Sequence, residues 1–514
     1  MKKPFFNNKR GANGQVNSDI SSESKLIQKG TLFYLTTTLP YVNAPLHMGH
    51  ALEFVRADTI ARYKKLLGFD VYFNTGTDEH GLKIFEKAKE NNLSAQEFVD
   101  IGFETFKEQL KMFGVIDDIH FIRTTDKNHE KAAQEFWVRV KDNGYIYKKT
   151  YEAKYCVGCE SEKTDSELVE DECPLHLGLE LKIINEENYF FKYSEFRDEL
   201  LSLYENNKNF IIPEFRFNEI KKFVEGGLQD FSISRLKEKM PWGIAVPGDD
   251  SQVMYVWFDA LVNYVSTLGW PTRMENFDKY WVNGNPTQYC GKDNTRFQGA
   301  MWQAMLMAAE LPNSHQIVVN GFITGDGGIR MSKTLGNVID PRDIVKEYGT
   351  DALRYFLLRE VSSFEDSPFT IERFKDAYNS GLANGLGNLS SRILTLSEKY
   401  LPAGNAELGE SISVYDESIS KEFLGYLEEF DIKKAIDFVW DKIQDLDKTI
   451  AETSPFKVVK IDEQKGKEMI ADLVLNLNKI TQMLIPLLPE TAQKISELIK
   501  ENKKPENPLF LRKE

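Results

Sequence analysis

Apolar residues along the chain fall into two rhythms. Residues 31–38 (TLFYLTTT) are β-branched and aromatic and read as a strand. A turn carrying Pro40, Asn43 and Pro45 follows. Over residues 50–67, apolar Leu52, Val55, Ile60, Leu66 and Leu67 recur at helical spacing, and Gly68 stops the helix. Residues 71–73 form a second short strand, which runs into a loop of Gly, Asp, Glu and His. Strand, helix and strand in that order predict a βαβ unit. Residues 253–261 and 316–323 again read as strands. From Asp351 the period becomes helical almost to the end, in blocks at 351–359, 380–400, 421–451 and 466–485. Pro486 and Pro489 are expected to end the last block. No stretch repeats at a solenoid-like period. The order is a split α/β domain, an inserted Cys-bearing module and a helical C-terminal domain, with no further module expected beyond the helices.

Length and charge narrow the class. A chain of 514 residues is too long for one core and suggests about three to four domains. Its 41% hydrophobic and 28% charged residues suit a water-soluble globular protein, and no apolar run is long enough to predict a membrane helix. Residues 1–30 are polar and rich in Asn, Ser and Lys, which predicts a disordered leader and no secretory signal. The net charge of −15 argues against a protein that coats nucleic acid, yet leaves room for a specific RNA on a local basic face. Of the 4 cysteines, Cys156, Cys159 and Cys173 cluster, as expected for a metal site in a reducing, cytoplasmic setting.

Three motifs carry chemistry. His47-Met48-Gly49-His50 lies between a strand and a helix, where helix amides and imidazoles can face a phosphate. Gly49 permits close approach of a nucleotide. Arg330-Met331-Ser332-Lys333-Thr334 follows the run Gly325-Asp326-Gly327-Gly328, a cationic loop suited to closing over a triphosphate. Cys156-x2-Cys159 with Cys173-x2-His176 has the spacing of a tetrahedral zinc knuckle whose role is structural. Cys290 stands apart and reads as a buried core thiol.

Together the first two motifs resemble the signature pair of class I aminoacyl-tRNA synthetases. Leu39-Pro40-Tyr41-Val42-Asn43 precedes the first, and Leu335-Gly336-Asn337-Val338-Ile339-Asp340-Pro341 follows the second. Within the class the chain resembles the methionyl family, single-knuckle type. The marks are Thr75-Gly76-Thr77-Asp78-Glu79-His80-Gly81, Tyr255-Val256-Trp257-Phe258-Asp259-Ala260, Gly291-Lys292-Asp293 and Asp351-Ala352-Leu353-Arg354-Tyr355.

The resemblance implies a Rossmann-like parallel-sheet catalytic domain split by a zinc-knuckle insertion, then an all-α anticodon-binding bundle. The expected divisions are 1–30 leader, 31–140 and 251–345 catalytic, 141–250 insertion, 346–387 stem contact and 388–514 anticodon domain. It implies a ligase that uses ATP, Mg2+ and structural Zn2+, with L-methionine and tRNA(Met) as substrates, acting as a monomer without DNA or membrane. ATP would meet His47, Gly49, His50, Lys292, Asp293, Arg330, Ser332 and Lys333, with His47, His50 and Lys333 catalytic. Methionine would meet Leu39, Tyr41, Asp78, Trp257, Ala260, Tyr264, Gln298 and Trp302, and the anticodon Asn388, Arg392 and Phe456. The chain departs from the family at Arg330 (usually Lys), Gln298 (often His), Asn294 (often apolar) and Phe456 (usually Trp). Asp447 and Thr449 stand where Asn and Tyr are usual. A synthetase for another aliphatic amino acid would need a larger insertion than 141–250 to hold an editing domain. A catalytically dead relative would have lost His47, His50 or Lys333, and a small nucleotidylyltransferase would lack the helical C-terminal region.

Overall fold

The computed structural model describes residues 30–159, 161–163, 168–328, 339–402 and 420–514. The leader expected at 1–30 lies outside them, apart from Gly30. At the centre is a six-stranded sheet in the order His120–Arg123, Asp70–Thr77, Leu32–Thr36, Pro286–Gly291, Gln316–Asn320, Ile211–Ile212. Every pairing in it is parallel. Parallel sheets are covered on both faces, and the central strand shows this: Phe33, Tyr34 and Leu35 are all buried. Helix Met48–Leu66 packs one face through Ala51, Leu52, Val55 and Ile60. Helix Lys127–Asp142 packs the other through Phe136, Trp137 and Val140. Strand Leu32–Thr36 pairs Asp70–Thr77 on one side and Pro286–Gly291 on the other. Chain order reverses there, and that opens a crevice at the carboxyl ends of the strands.

The insertion is built on an antiparallel sheet, Ser161–Lys163, Ile146–Cys156, Lys182–Phe191 and Phe231–Ser232, followed by a three-stranded sheet with Asp249–Met254 at its centre. The C-terminal region is helical: Asn388–Tyr400, Lys421–Glu428, Ile432–Thr453, Glu463–Leu484 and Pro489–Glu501. Buried Arg56 ties the sheet to the segment that leads into this region, donating to Asn320 Oδ1 (3.0 Å) and to the carbonyls of Val361 (3.1 Å), Ser362 (2.6 Å) and Ser363 (2.8 Å).

Three sequence expectations are corrected. Residues 253–261 are not one strand: the strand ends at Met254, and Val256–Ala260 is a short helix. A continuous apolar run does not distinguish a buried strand from a buried helix turn. The block at 421–451 is two helices, because Phe430 takes φ 59° and Asp431 caps a new helix by accepting from the Lys434 amide. The last expected block does end before Pro486, at Leu484, but Pro489 does not close the helical region: it opens a further helix at its first turn, where its missing N–H costs no hydrogen bond.

Candidate active site

The crevice is framed by the start of helix Met48–Leu66. His47 caps it: its Nδ1 accepts from the Gly49 amide (3.1 Å), and His50 Nδ1 accepts from the His47 amide (3.2 Å). The two rings stack at 3.8 Å. With Nδ1 an acceptor in both, a neutral ring carries its proton on Nε2, which makes it a donor for an anion. Burial, reinforced by His47, holds His50 well below the usual histidine range. His50 therefore presents a neutral donor at the positive end of a 19-residue helix. A Cβ on Gly49 would lie 3.0 Å from His47 Cε1.

One helical turn on stands Glu53, which the sequence reading overlooked. Its Oε1 accepts from the Thr38 amide at 2.7 Å. Burial pushes its carboxyl up to about 8, and Asp293 adds to the rise. Its three-residue offset from His50 on a strand-facing helix was the available signal. Thr38 Oγ1 also accepts from Gln298 Nε2 at 2.9 Å. Gln298 is buried, and its Oε1 accepts from Gln288 Nε2 at 3.2 Å. Ser314 in turn donates to Gln288. The Gln298 carboxamide is thus oriented by partners at both ends. Lys292 pairs with Asp366 (2.6 Å) over the Phe322 ring, while Asn294 Nδ2 donates to Asp293 Oδ1 at 3.3 Å.

The residues expected to hold an amino acid sit on segments tied to one another. Asp78 bridges Tyr41: its amide donates to Pro40 O (3.0 Å), and the Val42 amide donates to its carbonyl (3.0 Å). Leu39 is buried on the same segment. Trp257 is half-buried and stacks on Phe297 at 3.8 Å and 5°. Ala260 follows on the same short helix. Tyr264 and Trp302 are buried deeper, with Trp302 against Phe136, Tyr264 and Trp281. His80 Nδ1 lies 3.1 Å from Asp259 Oδ2, so the loop after Asp78 reaches the Trp257 helix. Arg330, Ser332 and Lys333 lie outside the described residues. The loop leading to them turns through Gly327 and Gly328 at positive φ, and Asp340 caps the helix beyond by accepting from the Arg342 amide.

In the insertion, one ligand atom each from Cys156, Cys159, Cys173 and His176 lies within 4.8 Å of the others. Cys159 Sγ is 3.5 Å from Cys173 Sγ and 3.3 Å from His176 Nδ1. A tetrahedron of Zn–S bonds of about 2.3 Å has edges near 3.7 Å, so the cluster has the size of a zinc site. Burial and the Cys173 sulfur push the Cys159 thiol up, and a cation at the centre would reverse that. A Cβ at Gly158 would strike the His176 ring at 2.5 Å, which is why a residue without one stands there. Cys290 is buried alone in the central sheet.

In the C-terminal helices, Asn388 is exposed, and Arg392 one turn on pairs with Asp447. Phe456 is 39% exposed, next to buried Pro455.

The comparisons agree with this geometry. The family described as tRNA synthetases class I (M) matches residues 33–182 and 176–394. The methionine–tRNA ligase of Caldanaerobacter subterraneus subsp. tengcongensis is 40% identical over 474 residues, covering 90% of this chain and 73% of the relative. That of Streptomyces coelicolor is 38% identical, covering 91% and 89%. The solved Mycobacterium tuberculosis methionyl-tRNA synthetase in complex with methionyl-adenylate superposes with a TM-score of 0.83 at 34% identity, covering 91% of this chain and 93% of that one. Its apo form gives 0.79 at 29% identity, covering 95% and 99%. The chain belongs to the class I tRNA synthetases, in the family of the methionine–tRNA ligases.

Proposed function

We propose that the chain activates L-methionine with ATP and transfers it to the 3′-terminal adenosine of tRNA(Met). The observation that carries this reading is the meeting, at the carboxyl ends of the parallel strands, of a histidine-capped helix N-terminus with an aromatic-walled segment tied to Asp78. The methionine carboxylate attacks the α-phosphorus of ATP in line, and pyrophosphate leaves; a ribose hydroxyl of the tRNA then attacks the acyl carbon, and AMP leaves. Catalysis is positioning and charge stabilisation. His47 and His50 donate to the phosphates, and Gly49 lets them approach. Lys292, Asp293, Arg330 and Ser332 complete the ATP site, and Lys333 takes the charge that builds on the pyrophosphate side. Asp78 receives the ammonium. Leu39, Tyr41, Trp257, Ala260, Tyr264, Gln298 and Trp302 shape the side-chain end, where aromatic walls suit a polarisable thioether.

Mg2+ bound with ATP would shield the phosphate charge. Cys156, Cys159, Cys173 and His176 would hold one Zn2+, which fastens the insertion and takes no part in the reaction. The domain divisions expected from the sequence, a monomeric state and a cytoplasmic setting belong to the same reading. ATP–pyrophosphate exchange with each of the twenty amino acids tests it. Methionine should support the fastest exchange; faster exchange with isoleucine or valine would overturn it.

A further inference from the structure

We propose that His80 and Asp259 are positioning residues for the amino-acid pocket, locking the loop that carries Asp78 to the helix that carries Trp257 and Ala260. This rests on the methionine reading of those three residues. The two side chains lie 3.1 Å apart, at 5% and 0% exposure. They come from distant segments, one following strand Asp70–Thr77 and one following strand Asp249–Met254. Each sits within two residues of an expected substrate contact.

The surroundings leave the loop little freedom. Glu79 is fully buried and accepts from Thr77 Oγ1 (2.6 Å) and Arg123 Nε (2.8 Å), while its amide donates to Thr124 Oγ1 (2.9 Å). Trp242 Nε1 donates to Glu79 O at 2.6 Å, and the Gly81 amide donates to Trp242 O at 3.1 Å. The Trp242 ring leans on His80 with centroids 5.6 Å apart. Glu79 thus anchors the loop from below, and His80 anchors it sideways to the pocket helix. Asp78, between these anchors and the Tyr41 bridge, inherits its position from both.

His129 stands behind the pair, against the Asp259 backbone, and makes no contact with the Asp259 carboxylate among those described. His129 is buried, hydrogen-bonded to Ser266 Oγ at 2.8 Å, and held neutral because burial pushes it down to about 3. Glu130 faces Asp259 with like charge. A buried polar pair costs desolvation that an apolar pair of equal volume would avoid. What it adds is a directional link between the ammonium end and the side-chain end of one pocket.

Pyrophosphate exchange and melting temperature of the full chain, compared for wild type, His80→Ala, His80→Asn and Asp259→Asn, test this. His80→Ala should raise the KM for methionine at least tenfold and leave the KM for ATP within twofold. His80→Asn, which keeps an amide donor near Nδ1, should recover most of the loss. An unchanged methionine KM would overturn the proposal, as would both KM values rising together with a lower melting temperature, or an Asn variant as impaired as Ala. If wild type prefers another amino acid, the methionine reading fails; a His80→Ala effect confined to that amino acid's KM would still support the positioning pair.

Discussion

Arg354 meets Asp58 at 2.8 Å with neither side chain exposed to solvent. Asp58 also takes Arg62 Nε and the Ile116 amide, each at 2.8 Å. Arg354 also donates to the carbonyls of Leu487 (2.9 Å), Pro486 (3.2 Å), Phe113 and Gly114 (both 3.3 Å) and to Thr59 Oγ1 (3.5 Å). One guanidinium therefore pins the helix that opens the active site to the turn before the last helix. Burial pushes the Arg354 guanidinium down from its usual range, and Asp58 opposes that shift.

Removing one partner of such a pair leaves a buried charge uncompensated, which typically costs about 3–5 kcal/mol. Asp58→Ala should lower the first unfolding transition in denaturant by that order. Exchange and tRNA charging should fail together on warming, because the same joint holds both halves. An unfolding midpoint equal to wild type would contradict this account of the joint.

Glu53 gives a pH-dependent prediction. Its ordinary carboxyl range lies near 4.5, and burial raises it to about 8 in the folded chain. Folding therefore favours the protonated form. The stability that follows is full below about pH 4.5 and drains as pH rises through about 8. Glu53→Gln keeps an acceptor for the Thr38 amide and cannot ionise. Its melting temperature should gain on wild type steadily from pH 5 to 8, and the gain should level off above that. A difference that is constant with pH would show that Glu53 is ionised throughout. His50 has the opposite sign: its folded value is depressed, so its contribution is full above the ordinary histidine range and is lost as pH falls below it.

The sequence made local features legible wherever one residue type dictates the geometry. The strand at 31–38 and the helix after it were visible from period, and the observed Leu32–Thr36 and Met48–Leu66 lie close to the expected ends. The cysteine and histidine spacing placed four ligand atoms that the fold brings within 4.8 Å. Ties between distant segments were not visible. Arg354 and Asp58 are 296 positions apart and His80 and Asp259 are 179, as their numbers show, and no period or spacing couples them. Gln298 read as a departure at a pocket position; only the structure shows its carboxamide bound to Thr38 and Gln288. Helix breaks at left-handed residues were equally hidden, since Phe430 is neither glycine nor asparagine.

Removal of metal should act on the insertion and spare the pocket core. If four protein ligands close the Zn2+ site, no coordination position is left for substrate. One zinc per chain should be found in protein prepared without chelator. Cys159→Ala should loosen the hairpin Ile146–Cys156 with Lys182–Phe191 and lower tRNA charging more than pyrophosphate exchange. Elemental analysis without zinc, or exchange abolished outright by the substitution, would contradict a purely structural metal.

The C-terminal helices allow the most discriminating test. Phe456 is 39% exposed, so its ring does not fill the bundle. The turn that presents it is nonetheless fixed. Ser454 takes a left-handed conformation (φ 45°, ψ 54°), Pro455 is buried at the first position of the next helix, and Gly466 packs so closely on Val459 that a Cβ would lie 2.2 Å from the Val459 Cα. A held, exposed ring is suited to stacking on a base, a contact worth about 1–3 kcal/mol on truncation. Phe456→Ala should therefore raise the KM for tRNA about tenfold and leave pyrophosphate exchange intact. Thermal stability should shift only by about 0.5 kcal/mol, as for a surface substitution. Asp447 pairs with the Arg392 guanidinium, and on the proposed reading it competes there with tRNA. Asp447→Asn removes that competitor and should lower the KM for tRNA several-fold, with the gain shrinking at high salt as charge contacts are screened. A Phe456→Ala protein that is destabilised yet charges tRNA normally, together with an Asp447→Asn protein that binds tRNA no better, would place the anticodon contacts on another face of the bundle.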